Sequence, residues 1–367
     1  MIINTGYNMN LKNRGAISNP EGRFEKTQAE DFDDGWFHEE TPLPTLETML
    51  FPEKAKSIIT RNDSPDIGFD YSINPYRGCE HGCIYCYARP SHAYMNLSPG
   101  VDFESKIFYK VDAANLLENE INKENYICRP IMLGANTDPY QPAEAKLKIT
   151  RSILEVLNKY NHPLAIISKS ALIERDLDIL SAMAQRNLVR AAISLTTLST
   201  SLKLILEPRT SGHQGRLRAI RTLSQAGIPV RVMAAPMIPL INDRELEKIL
   251  ETAKNTGAEY ASYVFIRLPY EVKDLFKEWL NTHFPDRAQH VMSIIRQMRG
   301  GKEYDAQFGS RMRGEGEFAQ TLETRFRLAC KRFKLNIRPS VALDTQSFKK
   351  VSHVPKQLEF LDKLDSH

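Results

Sequence analysis

Three cysteines, Cys79, Cys83 and Cys86, lie within eight residues at the spacing C-x3-C-x2-C, inside the stretch Asn74 to Pro90. Three thiolates at that spacing can hold three corners of a four-iron cluster and leave the fourth iron without a protein ligand, open to chemistry. A cluster used only for electron transfer usually takes four cysteines, and structural zinc normally takes four Cys or His ligands. The count of three is therefore informative. Two other readings compete: His81 could complete a zinc set, although it sits in the tight loop between Cys79 and Cys83, and the three thiols could be buried without metal. Clustered cysteines in a reducing compartment point to metal or catalysis.

The elements that must position this loop are legible as an alternation. Strand-like apolar runs are expected at 69–74, 130–134, 164–168, 189–195, 230–234 and 260–267. Between them lie helix-length amphipathic stretches at 143–159, 173–185, 216–225 and 244–255, the first with Ile149, Ile153, Val156 and Leu157 on one face. Strand and helix in alternation mean a parallel sheet covered by helices. The fold class is α/β, with six strand-helix units. From Glu271 the pattern turns to helices alone, expected at 271–280, 287–299 and 318–333. The chain divides as a disordered N-terminal extension and connector (1–65, with a helical segment near 54–60 and local order around Trp36 and Phe37), a core (66–270), a helical C-terminal region (271–338) and a tail (339–367).

Composition sets outer bounds. The 367 residues are 42% hydrophobic and carry 49 Lys and Arg against 45 Asp and Glu, a net charge of +4. That is the composition of a chain that buries a sizeable core. No apolar run approaches the length that crosses a bilayer, and the first residues lack a secretory pattern, so a cytoplasmic protein with no membrane partner is expected. Residues 28–40 are acidic and residues 325–334 basic. So small a net excess does not establish nucleic-acid binding, and the basic run reads as the solvated face of an amphipathic helix. Cys128 and Cys330 fit buried small hydrophobes better than a disulfide.

The cysteine loop, with Tyr85 just before its last cysteine, resembles the cluster motif of the radical S-adenosylmethionine (SAM) enzymes. From about Asp66 to about Pro269 the chain is similar to the spore photoproduct lyase group, often labelled DNA repair photolyase-like. The resemblance implies a partial (β/α)6 TIM-like barrel and a 4Fe-4S cluster on Cys79, Cys83 and Cys86. It further implies that the open iron chelates SAM, which is reductively split to methionine and a 5'-deoxyadenosyl radical. Family positions at the strand ends place Asn136, Lys169 and Ser194 near SAM, and Tyr85 and Tyr87 against its adenosine. The same resemblance implies an electron donor such as flavodoxin or ferredoxin and makes nucleic acid a candidate substrate. Each position also has a plainer reading: Asn136 and Asp138 as turn formers, Lys169 as a solvated strand end, Ser194 bonded to backbone, the tyrosines as shields around the cluster. Glu207 and Arg209 are expected to pair within their own loop, and Arg77 and Arg89 to offset cluster charge or cap the loop.

The lyase returns a hydrogen atom from a cysteine at the end of its second strand, and there this chain departs from it, with Ala135. Cys128 precedes that strand and is expected on the opposite face of the barrel, which leaves Tyr140 or Tyr263 as donors, or a different substrate. The catalytic residue is therefore not assigned. A non-catalytic iron-sulfur binding or sensing protein is the alternative from another class.

Overall fold

The structure is a computed structural model that describes residues 14–24 and 46–350. Among the described residues ten strands form two sheets. Strands β1 (Met49–Glu53), β2 (Ile59–Arg61), β3 (Tyr71–Ile73), β4 (Tyr76–Arg77) and β5 (Lys106–Lys110) are followed by β6 (Ile131–Leu133), β7 (Leu164–Ser168), β8 (Val189–Ser194), β9 (Val230–Met237) and β10 (Tyr260–Phe265). The large sheet has the order β10-β9-β8-β7-β6-β3-β2, parallel throughout except for the antiparallel edge β2. Its six parallel strands are the six read from the sequence, and they form a partial (β/α)6 barrel.

The alternation within each strand explains the layering. In β7, Leu164, Ile166 and Ser168 are buried and the residues between them half-buried; β8 and β9 begin with the same alternation, and β10 alternates from a half-buried first residue. Side chains of successive residues point to opposite faces, so one face meets the helices and the other lines the barrel interior. The helices are α1 (Asp102–Ser105), α2 (Ala113–Ile121), α3 (Glu144–Leu147), α4 (Ile149–Lys159), α5 (Leu177–Ala184), α6 (Thr200–Leu206), α7 (His213–Gln225), α8 (Leu246–Thr256), α9 (Val272–His283), α10 (Pro285–Gln297), α11 (Ser310–Arg313) and α12 (Gly316–Phe333). In α4, Ile153, Leu154 and Leu157 are wholly buried, each contributing about 1.5–3 kcal/mol by leaving water. Among the described residues no helix is long and apolar enough to cross a membrane.

Three expectations are corrected. Residues 54–60 do not form a helix: β1 pairs with β5 and β2 with β3, because tertiary pairing overrides a weak local preference. Residues 91–129, to which the sequence pattern assigns no element, hold β5 and α2. The N-terminal extension, expected to be disordered, is packed over residues 14–24: the Gly15 and Ala16 amides donate to the Glu104 carboxylate at 2.9 and 2.8 Å, and Ser18 donates to Glu278 at 2.6 Å. Gly15 is required there, since a Cβ would lie 1.7 Å from the Gly82 carbonyl oxygen. The segment around Trp36 and Phe37 and the tail beyond residue 350 lie outside the described residues.

His162, at the turn into β7, is fully buried, with Nε2 2.7 Å from the Tyr126 hydroxyl and Nδ1 3.0 Å from the Pro163 carbonyl. Burial pulls it down to about 4. The unfolded chain then binds a proton below its ordinary value near 6.5 that the folded chain refuses until about pH 4, so stability falls as pH drops through that window. One such group accounts for about 3 kcal/mol across it. We expect His162→Gln to flatten the dependence of urea-unfolding free energy on pH between 6.5 and 4 by close to one proton; an unchanged slope would contradict the assignment.

Candidate functional site

The cysteine loop leaves β3 through Asn74 and β4 and lies over the C-terminal ends of the parallel strands, where the loops of such a barrel converge. Gly82 adopts φ +65° between Cys79 and Cys83, a left-handed conformation that suits glycine. Backbone bonds then fix the turn: the Cys79 amide donates to Phe103 O at 2.9 Å and the Ile84 amide to Leu206 O at 3.0 Å. Arg89 is wholly buried; its Nε donates to the Cys83 carbonyl at 2.9 Å and its Nη2 pairs with the buried Glu104. Arg89 is thus a structural tie, while Arg77 is half-exposed and pairs with Glu53 at 2.8 Å. Because Glu104 also receives the Gly15 and Ala16 amides, one buried carboxylate holds the N-terminal segment to the loop.

All three cysteines are free, Cys79 and Cys83 buried and Cys86 half-buried. Burial pushes the Cys83 thiol up to about 12 against the pull of Lys169, and pushes Cys79 well above its ordinary value. Buried thiols such as Cys79 and Cys83 do not ionise together without a positive charge between them. This donor set fits a cationic iron-sulfur cluster. Among the described residues no three His, Cys, Asp or Glu side chains are grouped so that they could hold a metal ion as they stand. The His81 ring is committed elsewhere, with Nδ1 3.3 Å from Asp138 Oδ2, which argues against the zinc set considered above.

The strand ends bring four further groups to this loop. After β6, the Asn136 and Thr137 amides bond Asn74 Oδ1 at 2.9 and 3.3 Å, leaving the Asn136 side chain exposed. Asp138 is nearly buried and is the turn former: its carboxylate accepts from the Tyr140 amide at 2.9 Å, the Ser168 hydroxyl at 2.8 Å and the Lys169 amide at 2.7 Å. Burial would raise its pKa, but His81 and Lys169 bring it down to about 2. After β7, Lys169 is half-buried, and its ammonium makes no ion pair with a described residue. Burial works against its charge, yet the fields of Cys83, Glu207 and Asp138 prevail and hold its pKa above the ordinary lysine value.

Ser194 ends β8 and is buried, its carbonyl accepting from Arg216 Nη1 at 3.0 Å. Tyr85 turns inward and donates to Glu207, with Thr196 3.3 Å away. Tyr87 stays at the mouth, 45% exposed, donating to the Ala135 carbonyl and lying under the Arg267 guanidinium at 5.2 Å. The two tyrosines therefore part company: Tyr85 belongs to a buried network and only Tyr87 presents a ring to the mouth.

Glu207 and Arg209 do not pair with each other. Glu207 pairs with Arg216, both within 1% of full burial, and Arg209 reaches Glu80 of the cysteine loop at 3.0 Å. Sequence reasoning misses Arg216, Glu104 and Thr196, because a lone Arg or Glu in an amphipathic helix or short turn carries no signal of its partner. It also suggests two hydrogen donors that are both buried. Tyr140 is wholly buried beside Arg175, and Tyr263 packs on Phe326 of α12 with ring centroids 4.9 Å apart. Cys128 precedes β6, which runs parallel to β3, and so lies at the opposite end of the strand from the cysteine loop.

A six-stranded partial barrel with a three-cysteine loop over its mouth defines a class. The Radical SAM superfamily model matches residues 73–253, and the chain belongs to that superfamily, whose cofactors are a 4Fe-4S cluster and SAM. An uncharacterized protein of Mycobacterium tuberculosis (strain H37Rv) is 33% identical over 230 residues, 62% of this chain and 68% of that one. One from Methanocaldococcus jannaschii is 29% identical over 238 residues, covering 65% and 85%. Spore photoproduct lyase complexed with dinucleoside spore photoproduct has the same fold, with a TM-score of 0.55 at 17% identity over 77% of this chain and 79% of that one.

Proposed function

We propose that Cys79, Cys83 and Cys86 hold the 4Fe-4S cluster and that Asn136, Lys169, Ser194 and Tyr87 line the SAM site beside it, with Tyr85 bracing the loop from behind. Once bound, the cluster would relay an electron from an external donor to the sulfonium of SAM, the chemistry of reductive SAM cleavage. The polypeptide supplies position and exclusion of water. Lys169 offers a fixed cation to a carboxylate, and the buried carboxylates around it keep it charged. Tyr85, Glu207 and Arg216 hold the loop against β8, and Arg267 and Tyr87 close one side of the mouth. The observation that carries this reading is that three free thiols in one loop and an ammonium with no ion pair among the described residues lie at the same end of the barrel.

The substrate we propose is a nucleic acid or a related nucleotide, as in the lyase whose fold this chain shares, but with a different hydrogen return: Ala135 stands where a thiol would be needed. An external electron donor of the flavodoxin or ferredoxin kind, in the cytoplasm, completes the scheme. The test is anaerobic protein with dithionite and SAM, assayed for 5'-deoxyadenosine with and without nucleic acid. A cluster-bearing protein that forms none would favour a sensing role.

Lys169→Ala should keep the cluster and weaken SAM. Losing one charge-assisted hydrogen bond costs about 1.5–3 kcal/mol, which is about tenfold to a hundredfold in affinity. SAM titrations followed by the cluster's EPR signal read this directly; an unshifted midpoint would remove Lys169 from the site.

A further inference from the structure

The last strand and the last long helix among the described residues enclose a cleft that the proposed cluster and SAM site does not use. It measures about 970 Å³ and is lined by Arg231, Ser262 and Tyr263 on the barrel side and by Arg313, Glu323 and Arg327 on the helix side. Tyr263 is 8% exposed, and its hydroxyl has no hydrogen-bond partner among the described residues. A buried donor is seldom left unmatched, so the phenol calls for an acceptor beyond the described residues. Its ring is held in place by Phe326 and by Phe265, the latter with centroids 5.8 Å away.

The guanidiniums on the strand side have no counter-charge among the described residues. Arg231 Nη1 donates to the Ala261 carbonyl at 3.2 Å and the Ser262 hydroxyl at 2.6 Å. Arg190, on the neighbouring strand and the same face, donates to Ser340 Oγ at 2.8 Å and Val341 O at 3.1 Å. All four acceptors are neutral, and neither guanidinium forms an ion pair with a described residue. At the rim Arg313 is matched by Glu323 at 3.1 Å, but Arg327 and Lys331 are exposed with no such partner among the described residues. Guanidiniums with a phenol donor suit a multi-oxygen anion, and planar N–H pairs suit phosphate in particular.

Position limits what that phosphate can be. Tyr263 stands four residues before Arg267 at the mouth, about 13 Å along an extended strand, too far for the reacting group. We infer that the cleft between β10 and α12 binds a phosphate of the substrate remote from the reacting atoms, so that the ligand is a phosphodiester strand or nucleotide anchored beside the barrel. This deepens the nucleic-acid reading above and rests on it.

The test uses full-length reconstituted protein and a fluorescein-labelled single-stranded oligonucleotide, read by anisotropy, with a thymidine nucleotide and inorganic phosphate as competitors. Arg231→Gln should weaken binding about tenfold and Tyr263→Phe about fivefold. Arg327→Gln, at an exposed position and safe for folding, should lower the salt dependence by about 0.7 in log–log slope, the change expected when one phosphate of a single strand is no longer neutralised. Arg332→Gln, outside the cleft, is the control and should change little. Competition by the nucleotide as strong as by unlabelled strand assigns a nucleotide ligand; competition by strand alone assigns a polymer. No binding by the unmodified protein, or an Arg332→Gln loss equal to that of Arg231→Gln, overturns the cleft. Formation of 5'-deoxyadenosine without ligand, measured on the same samples, separates that failure from failure of the radical-enzyme reading.

Discussion

Changing Cys79, Cys83 and Cys86 together to alanine is expected to abolish iron binding and bring 5'-deoxyadenosine formation to background while the fold survives. The loop is held by groups other than the thiols: Cys79 N on Phe103 O, Ile84 N on Leu206 O and Arg89 on the Cys83 carbonyl all involve atoms that alanine keeps. The substitution removes no charge from the metal-free protein, because burial already holds Cys79 and Cys83 in the thiol form. Stability of the metal-free variant should therefore change by about 1 kcal/mol per site, the ordinary cost of trimming a buried side chain. The unsubstituted protein should carry about four irons and four sulfides per chain. A triple variant that keeps that iron, or stoichiometric zinc in the parent, would refute the assignment.

Glu207→Ala is expected to produce the largest loss of stability among single substitutions near the site. Arg216 would keep its bonds to Ser194 O at 3.0 Å and Ser211 O at 2.9 Å but lose the buried carboxylate it pairs with, and the Tyr85 hydroxyl would lose its acceptor. Breaking a buried pair by removing one partner costs about 3–5 kcal/mol, because the surviving charge stays desolvated. The double variant Glu207→Ala with Arg216→Met should recover part of that loss, since the penalty lies in the orphaned guanidinium and not in the missing attraction. Urea unfolding of the metal-free protein measures both; a loss below about 1 kcal/mol for the single variant would mean that water reaches the pair. Cluster assembly should also suffer, because Tyr85 adjoins Cys86 and is tied to β8 through Glu207.

The periodic part of this protein is written in its local pattern. Apolar runs of period two and amphipathic stretches of period 3.6 are local properties, so all six parallel strands and the helices after Glu271 are legible from the residues alone, as is the C-x3-C-x2-C spacing. Asp138 as a turn former is legible for the same reason: its bond to the Tyr140 amide spans two residues. Which long-range partners meet is settled by packing in three dimensions. Glu207 joins Arg216 across the start of α7, and Arg209 leaves its own loop for Glu80. Tyr85 turns inward while Tyr87, two residues on, stays at the mouth. Glu104 gathers residues from positions 15, 16 and 89 around one buried carboxylate, an arrangement that no local spacing encodes. Buried charges seek whichever counter-charge the packing brings near, and packing couples residues dozens or hundreds of positions apart.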